Sequence, residues 1–266
     1  MTVSPPATDH HRAGCAALER STPLLVEAVR RAPAAVRPSK MRWTNAEIAA
    51  HMYASAVEAE KAVRGKPSAY DEEPTAELDE QMVAQVHERD TSVLATMVEQ
   101  ATTAFLHTVR DLPADAPVAT PRATAGTFVG LLALDHHLHG GQFTETVGST
   151  WNGRVADLHG PLSVVLPYAF DPDAAKGFRA SFTLTLTGAE PVRYAIEDGA
   201  LRLDVPGRTD CTITADPQTF VRLGIGVVSQ LRAGLTGRMR AGGRKPWLAF
   251  ATNRLFPPIP HGGVAR

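Results

Sequence analysis

The sequence predicts an N-terminal four-helix bundle followed by a smaller α+β domain with a mostly antiparallel sheet. Two observations predict this class. Apolar residues recur at helical spacing along the first half of the 266-residue chain, and strand-like alternation with turn signals replaces that pattern after Gly148. We therefore divide the chain into a helical bundle at residues 1–150 and an α+β domain at residues 151–266.

Four helices are predicted in the first half from their apolar stripes and end signals. The second of them begins at a capping box, with Thr44 as the N-cap and Glu47 three residues later. Gly65 and Pro67 end it. The predicted spans are 13–31, 44–64, 78–110 and 125–147.

The second half alternates short strands with turn and cap residues. Asp198 and Gly199 form an Asp-Gly pair between two strand candidates and predict a hairpin. Asp216 and Pro217 predict a helix start, by N-cap and first-turn chemistry. Strands are predicted at 181–187, 192–196, 201–205, 211–214 and 238–241, helices at 231–237 and 246–255, and a linker at 151–160.

Composition excludes several classes of protein. The formal net charge is −1, so the chain as a whole has no field that would hold nucleic acid or an anionic membrane. The two cysteines, Cys15 and Cys211, form no disulfide framework. The N-terminus shows no signal peptide, and no apolar run reaches membrane-spanning length. We expect a cytoplasmic monomer or small homo-oligomer that acts on a small molecule, with no nucleic-acid or membrane partner.

The candidate chemistry lies in the fourth helix. Asp135 and His139 are four residues apart and therefore lie on one helix face, where a carboxylate and an imidazole can hold one divalent ion. His51, on the apolar second helix, is the candidate third ligand. His136, three residues before His139, could replace Asp135. Glu47 could orient His51, although capping is its expected role.

Two segments carry a resemblance to a known family. The first segment runs from Trp43 to Met52 and includes His51. The second is an acidic residue, three intervening residues, a histidine and a glycine, from Asp135 to Gly140. Both resemble segments of the mycothiol-dependent maleylpyruvate isomerase family of DinB-like helical bundles. Residues 210–256 are similar to the second half of a sterol-carrier-like domain. The resemblance implies that His51, Asp135 and His139 hold zinc or a similar divalent ion. The family usually has glutamate at the position of Asp135.

The resemblance also implies an activity. A mycothiol-like thiol would act as co-substrate in isomerisation or S-transfer on a small electrophile. Two alternatives remain open: a biosynthetic enzyme of the same fold with a thiol-independent reaction such as cyclisation, and a non-catalytic protein that binds a hydrophobic ligand. An arginine of the C-terminal half could hold a substrate carboxylate, or these arginines could form a solvated basic face. They are Arg232, Arg238, Arg240 and Arg244.

Overall fold

The computed structural model of the protein describes residues 6–71, 75–120 and 122–264. Residues 1–5, which belong to the N-terminal stretch in which we expect no signal peptide, lie outside the described residues. Within the described part of the chain, no helix is both long and apolar enough to cross a membrane.

The N-terminal half is helical, as predicted. Four long helices form the bundle, in which α1 packs against α4 and α5, and α2 packs against α4 and α5. A short fifth helix, α3, lies against α2. The helices are α1 (Pro6–Arg31), α2 (Asn45–Val63), α3 (Ala76–Gln85), α4 (Thr91–Val109) and α5 (Ala125–Thr146).

The single long helix predicted at 78–110 is wrong, because the chain breaks between α3 and α4. Val86 ends α3 in an extended conformation. The carboxylate of Glu88 accepts hydrogen bonds from the amides of Arg89 and Asp90, and Asp90 caps α4 through the amide of Ser92. These side chains satisfy amides that a continuous helix would have bonded to its own carbonyls.

The C-terminal half contains one sheet with helices around it. Its strands are β1 (Arg179–Leu186), β2 (Val192–Glu197), β3 (Ala200–Leu203), β4 (Cys211–Ala215) and β5 (Met239–Gly243). Its helices are α6 (His159–Ala169), α7 (Pro217–Gly224), α8 (Gln230–Leu235) and α9 (Thr252–Leu255). The predicted helix at 246–255 is correct only at its end, because Pro246–Ala251 is a 3₁₀ turn.

The sheet order is β3-β2-β1-β4-β5, and among these described strands only the β1–β4 pair is parallel. The mostly antiparallel sheet is therefore confirmed. The predicted hairpin joins β2 to β3, with positive φ angles of 48° at Asp198 and 81° at Gly199. Those angles match the primed turn that the strand twist favours.

Helix α6 was not predicted, and the predicted linker at 151–160 overlaps its first two residues. Helix α6 packs against α1 and α5 of the bundle. Its Leu162 and Leu166 also belong to the apolar core beneath the sheet. Helix α6 thus contacts both halves of the chain. The domain division at residue 150 stays a prediction.

Gly130 brings α5 and α6 into close contact, and its replacement by alanine is expected to destabilise the protein. A Cβ at this position would lie 2.8 Å from the carbonyl oxygen of Pro161 and 2.6 Å from a methyl group of Val164. Overpacking of this kind costs about 1–3 kcal/mol. Urea unfolding should show that loss.

The matched control is Gly234→Ala on α8, where a Cβ meets nothing within 4 Å. That variant should be unchanged or more stable by up to about 1 kcal/mol. Equal stability of both variants would contradict the prediction.

Candidate metal centre

His51 is presented by the first turns of α2. The predicted capping box is present: the Thr44 side chain accepts from the amide of Glu47, and the Glu47 carboxylate accepts from the amide of Thr44 at 2.7 Å. Glu47 therefore caps the helix, as expected. The side chain of His51 is buried, and its ring lies 5.1 Å from that of Trp43 between centroids.

His139 lies on α5 and is completely buried. Its Nδ1 lies 2.7 Å from Oε1 of Gln142, one helical turn further on. Because that amide oxygen can only accept, the bond places a proton on Nδ1 and leaves Nε2 with a free lone pair. Gln142 thus holds the tautomer that a metal-ligating histidine requires.

A third histidine, His261, comes from the C-terminal segment after α9. Backbone contacts hold this segment against the start of the bundle: the amide of Gly262 donates to Asp79 at 3.1 Å, and the amide of Arg42 donates to the carbonyl of Gly263 at 2.8 Å. A Cβ on Gly263 would lie 2.4 Å from the indole of Trp43. Only glycine therefore allows the segment to pass so close to Trp43.

The three rings converge at one point. One ring nitrogen from each of His51, His139 and His261 lies within 4.8 Å of the others. The ring centroids are separated by 5.0–5.5 Å. Each ring also has a buried nitrogen that makes no hydrogen bond to any described residue. Buried polar atoms are rarely left without a partner, so this cluster has the donor set and the unmet bonding capacity of a divalent-cation site.

The other residues singled out from the sequence have separate positions. Asp135 lines the same cavity as His51 and His261 but lies outside the group of three close nitrogens. Nδ1 of His136 lies 2.9 Å from the hydroxyl of Ser21, and Nδ1 of His137 accepts from the indole of Trp151 at 3.1 Å. Both of these histidines are therefore part of the bundle packing.

Burial sets the charge state of the centre. Desolvation lowers the pKa of His139 to about 4 and that of His261 to about 3, and it also lowers the pKa of His51 well below its usual value. All three rings are therefore neutral at pH 7, which is the form that binds a cation. Desolvation raises the pKa of Asp79 to about 7 and that of Asp135 to about 8. Both carboxyls retain protons near neutral pH.

A cavity of about 240 Å³ extends from the histidines between the bundle and the sheet. Its polar end contains His51, His261, Asp79, Asp135 and Tyr70. Most of its remaining wall is aliphatic or aromatic, contributed by α5, α6, the sheet and the chain after α9. Among the described residues that line it there is no lysine or arginine. The C-terminal arginines considered from the sequence are exposed instead.

Known structures provide a fold comparison. A histidine-to-alanine mutant of mycothiol-dependent maleylpyruvate isomerase matches with a TM-score of 0.50 and 12% identity, over 91% of this chain and 96% of that chain. The isomerase without that mutation gives a TM-score of 0.46 at the same identity and coverage. Sterol carrier protein 2 like 2 from Aedes aegypti covers 32% of this chain at a TM-score of 0.25 and 16% identity, and 82% of its own chain is covered.

Sequence comparison adds nothing to these matches, because no family model and no curated protein matches the chain. The first structural match spans nearly the whole chain. It confirms the predicted fold, a helical bundle joined to an α+β half, because the isomerase has the same fold. At 12% identity, the likeness concerns the fold alone.

Proposed function

We propose that the protein is a metal-dependent enzyme that uses a low-molecular-weight thiol, of the mycothiol type, for isomerisation or S-transfer on a small electrophile. The observation that carries the proposal is the convergence of three neutral imidazoles, two of them buried and that of His261 partly buried, each with a buried nitrogen that lacks a partner among the described residues. The thiol is proposed from the fold, which the chain shares with a mycothiol-dependent isomerase.

His51 and His139 belong both to the predicted ligand set and to the cluster of three histidines, and we propose both as ligands. The third is either Asp135, as the family resemblance implies, or His261. In His261 the Nδ1 atom accepts a 3.2 Å hydrogen bond from the amide of Gly263, so the neutral ring carries its proton on Nε2. Ligation through Nε2 would require the ring proton to move to Nδ1. The hydrogen bond from the amide of Gly263 would then be lost in exchange for the bond to the cation. Three protein ligands would leave one position of a zinc ion open.

The chain's own groups would prepare a thiol in this centre. A zinc ion bound there would supply the Lewis acidity that lowers the pKa of a thiol. Asp79, whose pKa is about 7, can accept or return a proton near neutral pH. The amide of Gly262 donates to its carboxyl group and holds it in place. The aliphatic walls of the cavity exclude water from the reacting groups.

The cavity also limits the class of substrate. Maleylpyruvate, the substrate in the neighbour's name, carries two carboxylates at neutral pH. Such a dianion needs cationic partners, and no lysine or arginine occurs among the described residues of this wall, whereas two aspartates do. We propose a substrate with an electrophilic polar end at the histidines and an apolar body in the aliphatic part of the cavity.

The apolar wall also favours a second candidate function, the binding of a hydrophobic ligand without catalysis. Organic extraction of the purified protein followed by mass spectrometry separates the two. Stoichiometric lipid with no metal would support simple binding. Turnover of an electrophile that continues without any thiol would instead support the thiol-independent enzyme.

Cobalt substitution tests the metal and the thiol together. Cobalt(II) should bind to the wild-type protein, and addition of mycothiol or cysteine should produce a near-ultraviolet sulfur-to-cobalt charge-transfer band. Asp135→Ala and His261→Ala identify the third ligand, because the variant that lacks it should bind cobalt at least roughly a hundredfold more weakly. Cobalt binding without a band would contradict the thiol. Unchanged binding in both variants would contradict a third ligand from either residue.

A further inference from the structure

The C-terminal half exposes large apolar side chains on a single stretch of chain. Those with the greatest exposure among the described residues all follow α7, and they belong to α8 or to the 3₁₀ turn Pro246–Ala251. They are Leu231 (66% exposed), Leu235 (80%), Trp247 (62%) and Phe250 (72%). Single exposed leucines are ordinary, but two leucines, a tryptophan and a phenylalanine in one region are typical of an interaction surface.

These side chains belong to adjoining elements. The Gln230 side chain at the start of α8 donates to the carbonyl of Ala249 in the 3₁₀ turn at 2.6 Å. Leu231 and Phe250 are the chain neighbours of those two bonded residues. Helix α8 and the 3₁₀ turn both pack against β5. We call the outer side of α8, β5 and the 3₁₀ turn the C-terminal face.

Positive charge is concentrated on the same segment. After Asp216 the sequence contains seven arginines and one lysine but no aspartate or glutamate. Arg232, Arg238 and Arg240 are exposed and form no ion pair with any residue that the structure describes. The net charge of −1 over the whole chain hides this segregation.

We propose that the C-terminal face docks onto an anionic lipid membrane surface. Tryptophan, phenylalanine and leucine insert at the level of the lipid headgroups, and arginines attract the anionic headgroups. A nucleic acid would use the arginines but would leave Leu231 and Leu235 without an apolar partner. An acidic protein would need a complementary apolar pocket, whereas a bilayer supplies the apolar phase over any patch of this composition.

The inner side of the same elements supports a lipid partner. Gln230 of α8 and Met239 of β5 line the apolar cavity described above, as does Thr252, which directly follows the 3₁₀ turn. Docking would therefore set one wall of that cavity against the membrane. The net charge of the whole chain led us to expect no membrane partner, and the present proposal departs from that expectation because the positive charge is concentrated locally. The inference does not depend on the metal centre.

Vesicle co-sedimentation tests this inference with the full-length protein. Vesicles of phosphatidylcholine with about 30% phosphatidylglycerol should bind the protein at least roughly tenfold more tightly than pure phosphatidylcholine. Leu235→Glu combined with Trp247→Glu should weaken binding to the anionic vesicles at least tenfold. Arg238→Glu combined with Arg240→Glu should do the same. The four changed side chains are all exposed, and circular dichroism verifies that the variants fold.

The matched control is Val93→Glu, which places a glutamate at an exposed apolar position on α4, away from the C-terminal face. It should bind anionic vesicles as the wild type does. The inference is overturned if the wild type does not sediment with anionic vesicles, or if Val93→Glu weakens binding as much as the face variants do. It is also overturned if only the arginine pair matters and duplex DNA binds as tightly as the vesicles.

Discussion

Replacing His51 with alanine is expected to remove the divalent metal from the protein. Two imidazoles, those of His51 and His139, belong to both the predicted and the observed cluster, and the variant loses one of them. Even residues that only orient a metal ligand change metal affinity by about 10–100-fold, so loss of a ligand should cost at least roughly a hundredfold. Elemental analysis after equilibration with equimolar zinc should find about one ion per wild-type chain and little in the variant.

The design needs two companions, because His51 also packs against Trp43. His51→Gln keeps a polar side chain of similar volume but presents no imidazole, so it should lose metal while retaining more stability than the alanine variant. His107→Ala removes an exposed histidine of α4 and should bind zinc as the wild type does. Full zinc occupancy in both His51 variants would show that the cluster is not the metal centre.

Local patterns were sufficient to predict the parts of the centre that lie on helices. Thr44 and Glu47 form a capping box within four residues of sequence, and the helix they begin carries His51 two turns later. His139 and its neighbours were found because their spacing places them on one helix face. Each of these inferences uses contacts between residues close in sequence, which elementary helix geometry fixes.

His261 could not be found in this way. It lies on an irregular segment that is held by Asp79 and Arg42, residues more than 180 positions away in sequence. No periodicity places such a segment. The only local indication is that two glycines follow the histidine, and their role becomes visible once the indole of Trp43 is seen beside them. Long-range packing, rather than local propensity, brings His261 to the other two histidines.

Two errors in helix prediction have equally specific causes. The break between α3 and α4 contains no proline or glycine, and it arises because Glu88 and Asp90 bond to nearby backbone amides. Helix α6 contains Pro161 and Pro167, residues that usually argue against a helix. Pro161 lies in the first turn, where no backbone donor is needed, so the helix can begin there.

Acidification is expected to unfold the metal-free protein between about pH 6 and pH 4. Burial lowers the pKa of His136 to about 3 and that of His137 to about 4 from an ordinary 6.5. Below pH 6.5 these two histidines therefore bind protons in the unfolded chain but not in the folded chain, and the free energy of unfolding falls as the pH falls. By about pH 4 each of these two rings costs on the order of 3 kcal/mol, a large part of a typical total stability.

The carboxyls of the centre act in the opposite direction but are outnumbered. The raised pKa values of Asp79 and Asp135 destabilise the fold as the pH rises above about 4, so acidification relieves that cost. The lowered pKa values of His51, His139 and His261 add to the effect of His136 and His137, so five imidazoles in and beside the centre act against its two carboxyls. The net slope therefore favours unfolding in acid.

Urea unfolding at a series of pH values measures this slope, with His137→Gln as the informative variant. Glutamine offers an amide oxygen to the indole of Trp151 but cannot be protonated in this range, so the variant should lose less stability between pH 6.5 and about pH 5 than the wild type. His107→Ala, which removes an exposed ring, should follow the wild-type curve. A wild-type protein whose stability stays level across this range would contradict the prediction, because the buried histidines would then take up protons in the folded state as readily as in the unfolded state.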